Sequence, residues 1–517
     1  MTRLLNIKAK ILKRAVSFYT KKSFTNESSE KLQLNTLRQL LIEASQTDFG
    51  KHYDFNAILQ SDDVIESFQK RIPIFVYNEI YNKWWHRLLK GDKNVTWPGR
   101  ITTFALSSGT TGSTSKYIPF SHQMLLSMRK ASLKSICSFL NDLDLPDDFF
   151  KSKILMLGGS TELKQLGDLS MGDLSGILTG KMPIWMNLLY EPSMKISKES
   201  DWDKKLDKVI KEAHKWDIGV ITGVPAWIQI LIERIIDHYE VKSIHEIWPN
   251  LKIYIHGGVS MDPYKSYFKK LLGDHMIYLD TYTASEGFIA FQNSKLDTGM
   301  SLVIGNGIFY EFVPFNSDNF SNEGELLAKA KTLNLNEIVA NEEYAIIIST
   351  NAGAWRYLIG DTIKFTDVNK YELVITGRIK HFLSLCGEHL SVENMSDAIS
   401  ILNKEMGLNI NEFTVFGVKS DNYFSHSWWL GIDIDVDKEL LSKKLDNILR
   451  SLNDDYDTER GYALKDINVN INSSNLFYAW MKANNKFGGS NKFPRVLSKN
   501  QIASWLKFVE FQNKNQI

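Results

Sequence analysis

The sequence predicts an α/β protein with a large, multi-sheet N-terminal domain and a smaller α+β C-terminal domain. Short apolar strands alternate with helical stretches through the first two thirds of the chain, a pattern typical of sheets covered by helices. The last third is a more compact alternation of helices and strands, and 517 residues are ample for two cores. We expect the domains to cover residues 1–378 and 379–517.

Apolar periodicity gives the elements of the large domain. An early helix is expected after the Ser28–Ser29 cap region, because leucines recur at helical spacing from Leu32 to Leu41. Further helices are expected at 123–140, 203–214, 227–238 and 263–272. Strands are expected at 101–106, 154–157, 218–221, 253–255, 276–279, 302–304, 309–313, 345–349 and 373–376.

The small domain has its own succession of elements. They are a helix near 392–402, strands near 413–418 and 428–434, a helix at 437–452 and a strand at 467–471. A short polar connection near residue 380 precedes them, with no Pro- or Ser-rich linker in the sequence.

Bulk composition argues against several classes of protein. Hydrophobic residues make up 43% and charged residues 23%, which is ordinary for a soluble globular protein, and the net charge of +1 argues against nucleic-acid binding. Cys137 and Cys386 lie far apart, without metal or redox spacing, so we expect a cytoplasmic protein in a reducing compartment. No apolar run approaches the length of a membrane span, so no stable membrane insertion is expected.

The first 24 residues form a basic segment that contains seven lysines and arginines and no acidic residue. It is compatible with an amphipathic targeting peptide or a membrane-surface helix, and equally with a first helix packed on the body. A secretory signal is not expected, because the segment lacks a long apolar run and a cleavage pattern.

One loop combines glycines and hydroxyl residues with a single lysine. It reads Ser107-Ser108-Gly109-Thr110-Thr111-Gly112-Ser113-Thr114-Ser115-Lys116 and follows a predicted strand. Glycines let backbone amides close around a ligand, hydroxyls add donors and the lysine supplies a charge, so the loop is suited to nucleotide phosphates. Three residues separate Gly112 from Lys116, so it is not a Walker A loop, and a strand-linked Gly-x-Gly-x-x-Gly is missing. The alternative is an ordinary surface connector.

Two other motifs follow predicted strands. In His256-Gly257-Gly258-Val259-Ser260 the glycines allow the backbone to approach a purine, although such glycines also occur in ordinary turns. In Tyr282-Thr283-Ala284-Ser285-Glu286 the tyrosine offers a stacking surface, and the adjacent hydroxyl and carboxylate can hold Mg²⁺ and its waters. Glu286 is also compatible with a helix-capping or surface acid.

A third motif, Gly360-Asp361, is followed seventeen residues later by Arg378. A carboxylate only accepts hydrogen bonds, which suits the two neighbouring hydroxyls of a ribose. The alternative is a turn, for which Gly-Asp is a common signal.

These motifs occur in the order found in the adenylate-forming superfamily of acyl-CoA synthetases, peptide-synthetase adenylation domains and luciferases. Within it, the whole chain resembles the auxin-responsive-promoter family of acyl-acid amido synthetases, in particular its shorter bacterial relatives. Lys116 falls seven residues after Gly109 and opens a segment similar to the family's Lys-x-Ile-Pro-Phe. Arg356-Tyr357-x-x-Gly360-Asp361 resembles its Arg-Tyr-x-x-Gly-Asp.

The resemblance implies a role for each matching residue in the large domain, with ATP and Mg²⁺ as cofactors. The residues expected to cradle the ATP phosphates are Ser107, Ser108, Gly109, Thr110, Thr111 and Lys116. The residues expected to line or stack on the adenine are Gly257, Gly258, Val259, Ser260 and Tyr282. Glu286, beside Ser285, would face Mg²⁺, and Asp361 would hold the ribose, with Arg378 as a second ribose or phosphate contact.

The resemblance also implies a mobile small domain. Lys380 stands where the superfamily has its pivot, and Ser490–Arg495 resembles the family's Lys-x-Pro-Arg segment. Lys492 is therefore the candidate lysine that meets the α-phosphate and the carboxylate, with a solvated loop charge as the alternative. Two departures concern fine loop geometry. The chain lacks the Pro or Arg-Pro that often precedes Lys116 in relatives, and Thr283 replaces a common glycine.

The activity implied is that of an ATP-dependent ligase. It would activate a carboxylic acid as an acyl-adenylate and pass the acyl group to an amino acid, releasing AMP and pyrophosphate. The acid pocket is expected between the phosphate loop, the 123–140 helix and residues 223–227. Two alternatives stay open: a thioester ligase that uses coenzyme A, and a non-catalytic nucleotide-binding protein on the same fold. The sequence does not indicate the identity of the acid or the oligomeric state.

Overall fold

The computed structural model describes most of the chain. The described residues are 27–107, 116–143, 145–183, 186, 189–258, 261, 264–273, 275–294, 297, 299–321, 324–379, 382–388, 390–419, 423–484, 493–497 and 499–515. Those of 27–106 and 116–379 form one compact unit, and Ser107 groups with the residues from 382 onward in a second unit. We call them the large unit and the small unit. The basic segment at residues 1–24 lies outside the described residues.

Seventeen α-helices occur in the described part of the chain. In chain order they are α1 Ser29–Ala44, α2 Asp48–His52, α3 Phe55–Leu59, α4 Val64–Arg71, α5 Tyr77–Ile80, α6 His86–Leu89, α7 His122–Asp142, α8 Leu174–Gly180, α9 Met194–Ser197, α10 Trp202–Glu212, α11 Pro225–Tyr239, α12 Lys265–Leu272, α13 Val392–Met406, α14 Lys438–Leu452, α15 Asp454–Gly461, α16 Ser474–Ala483 and α17 Lys499–Asn515. A π-helix, Tyr81–Trp85, joins α5 to α6, and 3₁₀ turns occupy Asp147–Lys151, Ala213–Lys215 and Ile244–Glu246.

The strands of the same residues run from β1 to β20. In chain order they are β1 Thr103–Ser107, β2 Lys116–Pro119, β3 Lys153–Met156, β4 Lys164–Leu166, β5 Leu169–Gly172, β6 Tyr190–Glu191, β7 Ile218–Thr222, β8 Ile253–Gly257, β9 Ile277–Ala284, β10 Gly287–Phe291, β11 Met300–Leu302, β12 Ile308–Pro314, β13 Glu343–Thr350, β14 Tyr357–Asp367, β15 Glu372–Arg378, β16 Phe382–Leu383, β17 Leu390–Ser391, β18 Phe413–Lys419, β19 Phe424–Gly431 and β20 Leu464–Asn472.

The predicted α/β, multi-sheet large domain is confirmed. In the part of the chain that is described, its strands form an eleven-stranded sheet in the order β12-β13-β14-β15-β11-β10-β9-β8-β7-β3-β6 and a four-stranded sheet in the order β2-β1-β5-β4. The run from β6 to β9 is parallel, whereas β9 to β12 pair antiparallel along the rest of the sheet. Because β7, β8 and β9 are parallel, their carboxyl ends share one edge, where ligands bind in open α/β sheets.

Local signals in the sequence explain where the main helices begin. The Ser28 hydroxyl accepts from the Lys31 amide at the start of α1, and Ser121 accepts from the Met124 amide at the start of α7. Pro225 occupies the first turn of α11, where its missing amide hydrogen costs nothing. The early helices pack their aromatic residues against the sheet, with the Phe49 and Trp355 rings stacked at 5.7 Å.

The small unit is an α+β structure, as predicted. Strand β19 pairs antiparallel with β18 and parallel with β20, and α13 packs against α14. After α16, residues 493–497 run beside β18, where the Val415 amide donates to the Arg495 carbonyl at 2.9 Å. Phe493 is buried against Phe477 and Trp480, at ring distances of 4.9 and 5.1 Å.

Several predicted boundaries were wrong. The strand expected at 302–304 lies at Met300–Leu302, and the one expected at 428–434 lies at Phe424–Gly431. The eleven-residue strand β14 was not predicted, because Gly360, Asp361 and Lys364 interrupt its apolar pattern. Asp361 therefore lies inside a strand, and the alternative that it is a turn residue is wrong. No helix within the described ranges is both long and apolar enough to cross a membrane.

Candidate active site

The carboxyl ends of β8 and β9 are tied together at the predicted Gly-Gly motif. His256 and Gly257 pair with Asp280 and Thr281, and the Thr281 hydroxyl donates to the His256 carbonyl at 2.9 Å. A Cβ on Gly257 would lie 2.4 Å from the Thr281 carbonyl oxygen, so this glycine is needed for the two strands to approach. Gly258 has a φ of +85°, which favours glycine and lets the chain turn along the sheet edge.

Glu286 occupies the tight turn of the β9–β10 hairpin. Ala284 pairs with Gly287, so Ser285 and Glu286 form the connection between the two strands. The side chain of Glu286 is buried, although a turn at the end of a hairpin is usually solvated. The turn therefore points a carboxylate into the protein rather than into water.

Three predicted residues meet at Asp361. The register of β14 and β15 places Asp361 opposite Arg378, whose Nε donates to Asp361 Oδ1 at 2.8 Å. The Tyr282 hydroxyl donates to Asp361 Oδ2 at 2.6 Å, and the tyrosine ring is only 4% exposed. Both carboxylate oxygens are thus oriented, and each keeps a lone pair for a further donor. Contact with Asp361 is a role for Tyr282 that the sequence did not indicate.

The electrostatics of Glu286 connect these residues with Lys116. Burial raises the pKa of Glu286 above its ordinary value, and the nearby Lys116 ammonium and the glutamate's own amide oppose that rise. Asp361 raises this pKa further and Arg378 lowers it, so the charges of three neighbouring groups act on Glu286. Lys116, the first residue of β2, is itself buried. The arrangement brings two carboxylates and two cations together, which suits a ligand carrying both phosphates and a cation.

Sequence reasoning missed Tyr77 in this site. Its hydroxyl accepts from the Tyr117 amide at 2.8 Å, and its ring centroid lies 5.6 Å from Lys116 Nζ. Tyr77, Tyr81 and Trp85 recur at intervals of four residues, which is the only signal in the sequence that could have indicated an aromatic face here.

Arg356, the first residue of the Arg-Tyr-x-x-Gly-Asp motif, lies behind the site. Its guanidinium donates to both oxygens of buried Glu311, at 3.0 and 2.9 Å, and to the carbonyls of Gln69 and Ile72. Its φ of +42° is unusual for a residue with a side chain, and this ion pair holds it there. Arg356 thus fixes the start of β14, five residues before Asp361, against the N-terminal helices.

The remaining predicted residues are divided between described and undescribed parts of the chain. Ser107 ends β1, and Ser285 lies in the hairpin turn beside Glu286. The Ile379 amide, one residue after Arg378, donates to the Gly360 carbonyl at 3.0 Å. Eight predicted residues lie outside the described residues: Ser108, Gly109, Thr110, Thr111, Val259, Ser260, Lys380 and Lys492. Their roles stay predictions.

Comparison with known sequences gives matches to the three domains of one family. They are the GH3 family N-terminal domain over residues 22–207 and 167–277, the GH3 family central domain over 301–378 and the GH3 family C-terminal domain over 393–501. The jasmonoyl–L-amino acid synthetase JAR4 of Nicotiana attenuata is 24% identical over 404 residues, or 65% of this chain and 66% of that protein. The matched segment thus spans about two thirds of that relative's length. The indole-3-acetic acid-amido synthetase GH3.4 of Arabidopsis thaliana is 20% identical over 455 residues, or 75% of this chain and 74% of that protein.

Solved structures share the fold along nearly the whole chain. The GH3.15 acyl acid amido synthetase superposes with a TM-score of 0.58 at 15% identity, covering 93% of each chain. A 2-hydroxyisobutyryl-CoA ligase in complex with 2-HIB-AMP and CoA gives a TM-score of 0.59 at 12% identity, covering 94% of this chain and 92% of that chain. The resemblance inferred from the motifs is confirmed by these matches.

Proposed function

The chain belongs to the GH3 family, and on that premise we propose that it is an ATP-dependent ligase that joins a carboxylic acid to an amino acid. The observation that carries the proposal is the meeting of Tyr282, Asp361 and Arg378 beside the coupled pair Lys116 and Glu286. These residues come from five separate strands and turns, and each was assigned to nucleotide chemistry from the sequence. We further propose that the protein works in the cytoplasm, which agrees with two buried free cysteines.

In this proposal the nucleotide lies along the carboxyl edge of β8 and β9. Asp361 accepts from the ribose hydroxyls through its remaining lone pairs, and Arg378 orients that carboxylate and contacts the ribose or a phosphate. Tyr282 fixes the other carboxylate oxygen. Lys116 brings its positive charge to the phosphates, together with the undescribed loop residues Ser108–Thr111.

Glu286 is chemically suited to Mg²⁺. Its carboxylate is buried and its raised pKa shows that the surrounding donors do not compensate for the lost hydration. A carboxylate of this kind, completed by phosphate oxygens and water, is a common magnesium ligand set. Bound there, the ion would supply charge neutralisation for the departing pyrophosphate.

The first step forms an acyl-adenylate. A carboxylate oxygen of the acid attacks the α-phosphorus of ATP, and the bond from that phosphorus to the pyrophosphate oxygen breaks. Lys116 stabilises the developing phosphate charge, and positioning supplies most of the remaining acceleration. We assign the contact with the α-phosphate and the acid carboxylate to Lys492, which directly precedes the buried Phe493.

The second step forms the amide. The amine nitrogen of the amino acid attacks the acyl carbonyl carbon, the carbon–oxygen bond to AMP breaks, and the nitrogen loses a proton. We propose that the predicted small C-terminal domain, residues 379–517, turns about Lys380 between the two steps. The same adenylate could react with the thiol of coenzyme A, so the acceptor has to be tested directly.

The test is pyrophosphate release from ATP and Mg²⁺ over a panel of carboxylic acids, each assayed alone, with mixed amino acids and with coenzyme A. We expect acid-dependent release that rises with an amino acid and yields AMP and an amide by mass spectrometry. Release raised by coenzyme A alone would assign the protein to thioester ligases. ATP binding with no release for any acid would contradict the proposal. Asp361→Asn serves as the site control and should abolish release.

A further inference from the structure

Tyr77 makes two contacts with consecutive residues of β2. Its ring centroid lies 5.6 Å from Lys116 Nζ, and its hydroxyl accepts from the next backbone amide, that of Tyr117, at 2.8 Å. Both side chains are buried, Tyr77 at 8% and Lys116 at 7% exposure. One side chain thus contacts both the ammonium of Lys116 and the backbone amide of the residue that follows it.

The environment of Tyr77 is densely packed with aromatic rings. Its ring stacks on Tyr81 at 5.4 Å and meets the edge of Trp85 at 6.1 Å. Trp85 in turn packs on Tyr357 of β14 at 5.4 Å, and its indole nitrogen donates to the Gly353 carbonyl at 3.2 Å. Tyr81 and Trp85 bound a π-helix, a distortion that is frequent at functional sites.

The chemistry of the contact suits a lysine that has to act on another group. An aromatic face attracts the ammonium without adding a negative charge, so it can orient the lysine toward another group. Burial raises the pKa of the Tyr77 hydroxyl above its ordinary value, so the ring stays neutral and adds no competing charge. The charge of Glu286 also acts on that of Lys116, so the ring orients an ammonium that already has an acidic neighbour.

We infer that Tyr77 is a positioning residue that holds Lys116 in place for the phosphates of ATP. The inference rests on the proposed function, in which Lys116 contacts those phosphates. It predicts that Tyr77 affects ATP only through Lys116, and that it affects adenosine, which has no phosphate, very little.

The experiment is a double-mutant cycle on the full chain. Tyr77→Met removes the ring but keeps much of the volume, Tyr77→Phe removes only the hydroxyl, and each is combined with Lys116→Ala. Dissociation constants of ATP and adenosine are measured by competition against a fluorescent ATP analogue, with thermal unfolding as a check on folding. Tyr53 provides the matched control, since Lys83 Nζ lies 5.2 Å from its ring and donates to its hydroxyl at 3.0 Å.

We expect Tyr77→Met to weaken ATP binding roughly tenfold and Tyr77→Phe about threefold, with adenosine binding unchanged. In the Lys116→Ala background neither substitution should weaken ATP binding further, and Tyr53→Met should have no effect in either background. If Tyr77→Met does not fold, the Tyr77→Phe cycle decides by the same criterion.

Two results would overturn the inference in distinguishable ways. Tyr77 would be a structural residue, and the proposed function would stand, if its substitution weakened the binding of ATP and adenosine equally. The same would follow if the loss of ATP affinity added in full to the loss caused by Lys116→Ala. Unchanged ATP binding by Lys116→Ala itself would remove the phosphate role of Lys116, and the inference with it.

Discussion

The two units each contain a deeply buried glutamate, and the two carboxylates differ in how many donors surround them. In the small unit, Glu388 accepts from the amides of Leu385, Cys386 and Gly387 at 2.8–3.2 Å and from His426 Nε2 at 2.8 Å. Burial raises its pKa, but the His426 contact and the amides outweigh that effect and leave the pKa at about 2. In the large unit, burial dominates and the pKa of Glu286 is raised.

The comparison shows that burial alone does not identify a functional acid. Glu388 has fixed donors on both oxygens and therefore holds the 385–387 turn in place, which is a structural role. Glu286 is buried with fewer donors, so its ionised form is stabilised only in part and suits an arriving cation. The two pKa directions thus distinguish two kinds of site. We call the donors around Glu388, which reach both carboxylate oxygens, the closed network, and the surroundings of Glu286, which has fewer donors, the open network.

The largest expected effect is on the closed network. Glu388→Gln would place an amide NH₂ against backbone N–H donors and remove the charged acceptor of the His426 hydrogen bond, so we expect it to lower the free energy of unfolding by about 3–5 kcal/mol. Urea unfolding measures the loss. Glu405→Gln, which removes a surface ion pair with Lys444, is the control and should cost less than about 1 kcal/mol. Equal losses for both variants would contradict the comparison.

Lowering the pH should destabilise the protein through Glu388. A carboxyl whose pKa is lowered on folding stabilises the protein at pH values above its pKa in the unfolded chain, which is near 4.5. This stabilisation is lost as the pH falls toward 2. We expect Glu388 to account for about 3 kcal/mol of the stability lost over that window. The difference in unfolding free energy between wild type and Glu388→Gln should therefore shrink as the pH falls from 5 to 2. A difference that stays constant over this window would show that the carboxylate charge is not responsible.

Glu286→Gln tests the open network. Because burial disfavours the charged form of Glu286, we expect this variant to be at least as stable as wild type at neutral pH. The rate of acid-dependent pyrophosphate release should fall roughly 100-fold, or about 2.7 kcal/mol. Glu66→Gln, at an exposed ion pair of the same unit, should change neither quantity. A Glu286→Gln protein that loses stability but keeps its rate would reverse the assignment.

The smallest effect expected is that of Tyr282→Phe, which removes one donor from Asp361 and keeps the ring. If the hydroxyl orients Asp361, the KM for ATP rises about fivefold, near 1 kcal/mol, with little change in kcat. An unchanged KM would show that only the ring matters, as adenine stacking predicts. Tyr344→Phe controls for general loosening, because this buried tyrosine lies on the neighbouring strand and its hydroxyl contacts Val339 and Glu342 rather than Asp361.

Local motifs explain why much of the site could be predicted. Lys116, Glu286 and Asp361 each lie in a short glycine- or hydroxyl-containing motif, so the sequence itself marks these residues. Tyr77 could not be found in this way, because its partner Tyr117 lies 40 residues away. The Arg356–Glu311 pair spans 45 residues, and only the folded chain brings such groups together.

The strands show the same contrast between what a local pattern predicts and what it misses. Strands with continuous apolar runs, such as Ile218–Thr222, were predicted to within a residue, because both faces of a central parallel strand are buried. Strand β14 was missed because it carries the polar residues of the site among its buried ones. The part of the sheet that holds the candidate site residues is thus the part whose pattern looks least like a strand.

The hydrogen bond from the Ile379 amide to the Gly360 carbonyl has a mechanical consequence. Together with the Arg378–Asp361 ion pair, it clamps the polypeptide to β14 as far as residue 379. Any rotation that preserves both bonds is restricted to the backbone torsions beyond that point. The rotation that we propose about Lys380 would therefore leave the Arg378–Asp361 ion pair, and with it the proposed ribose contacts, undisturbed.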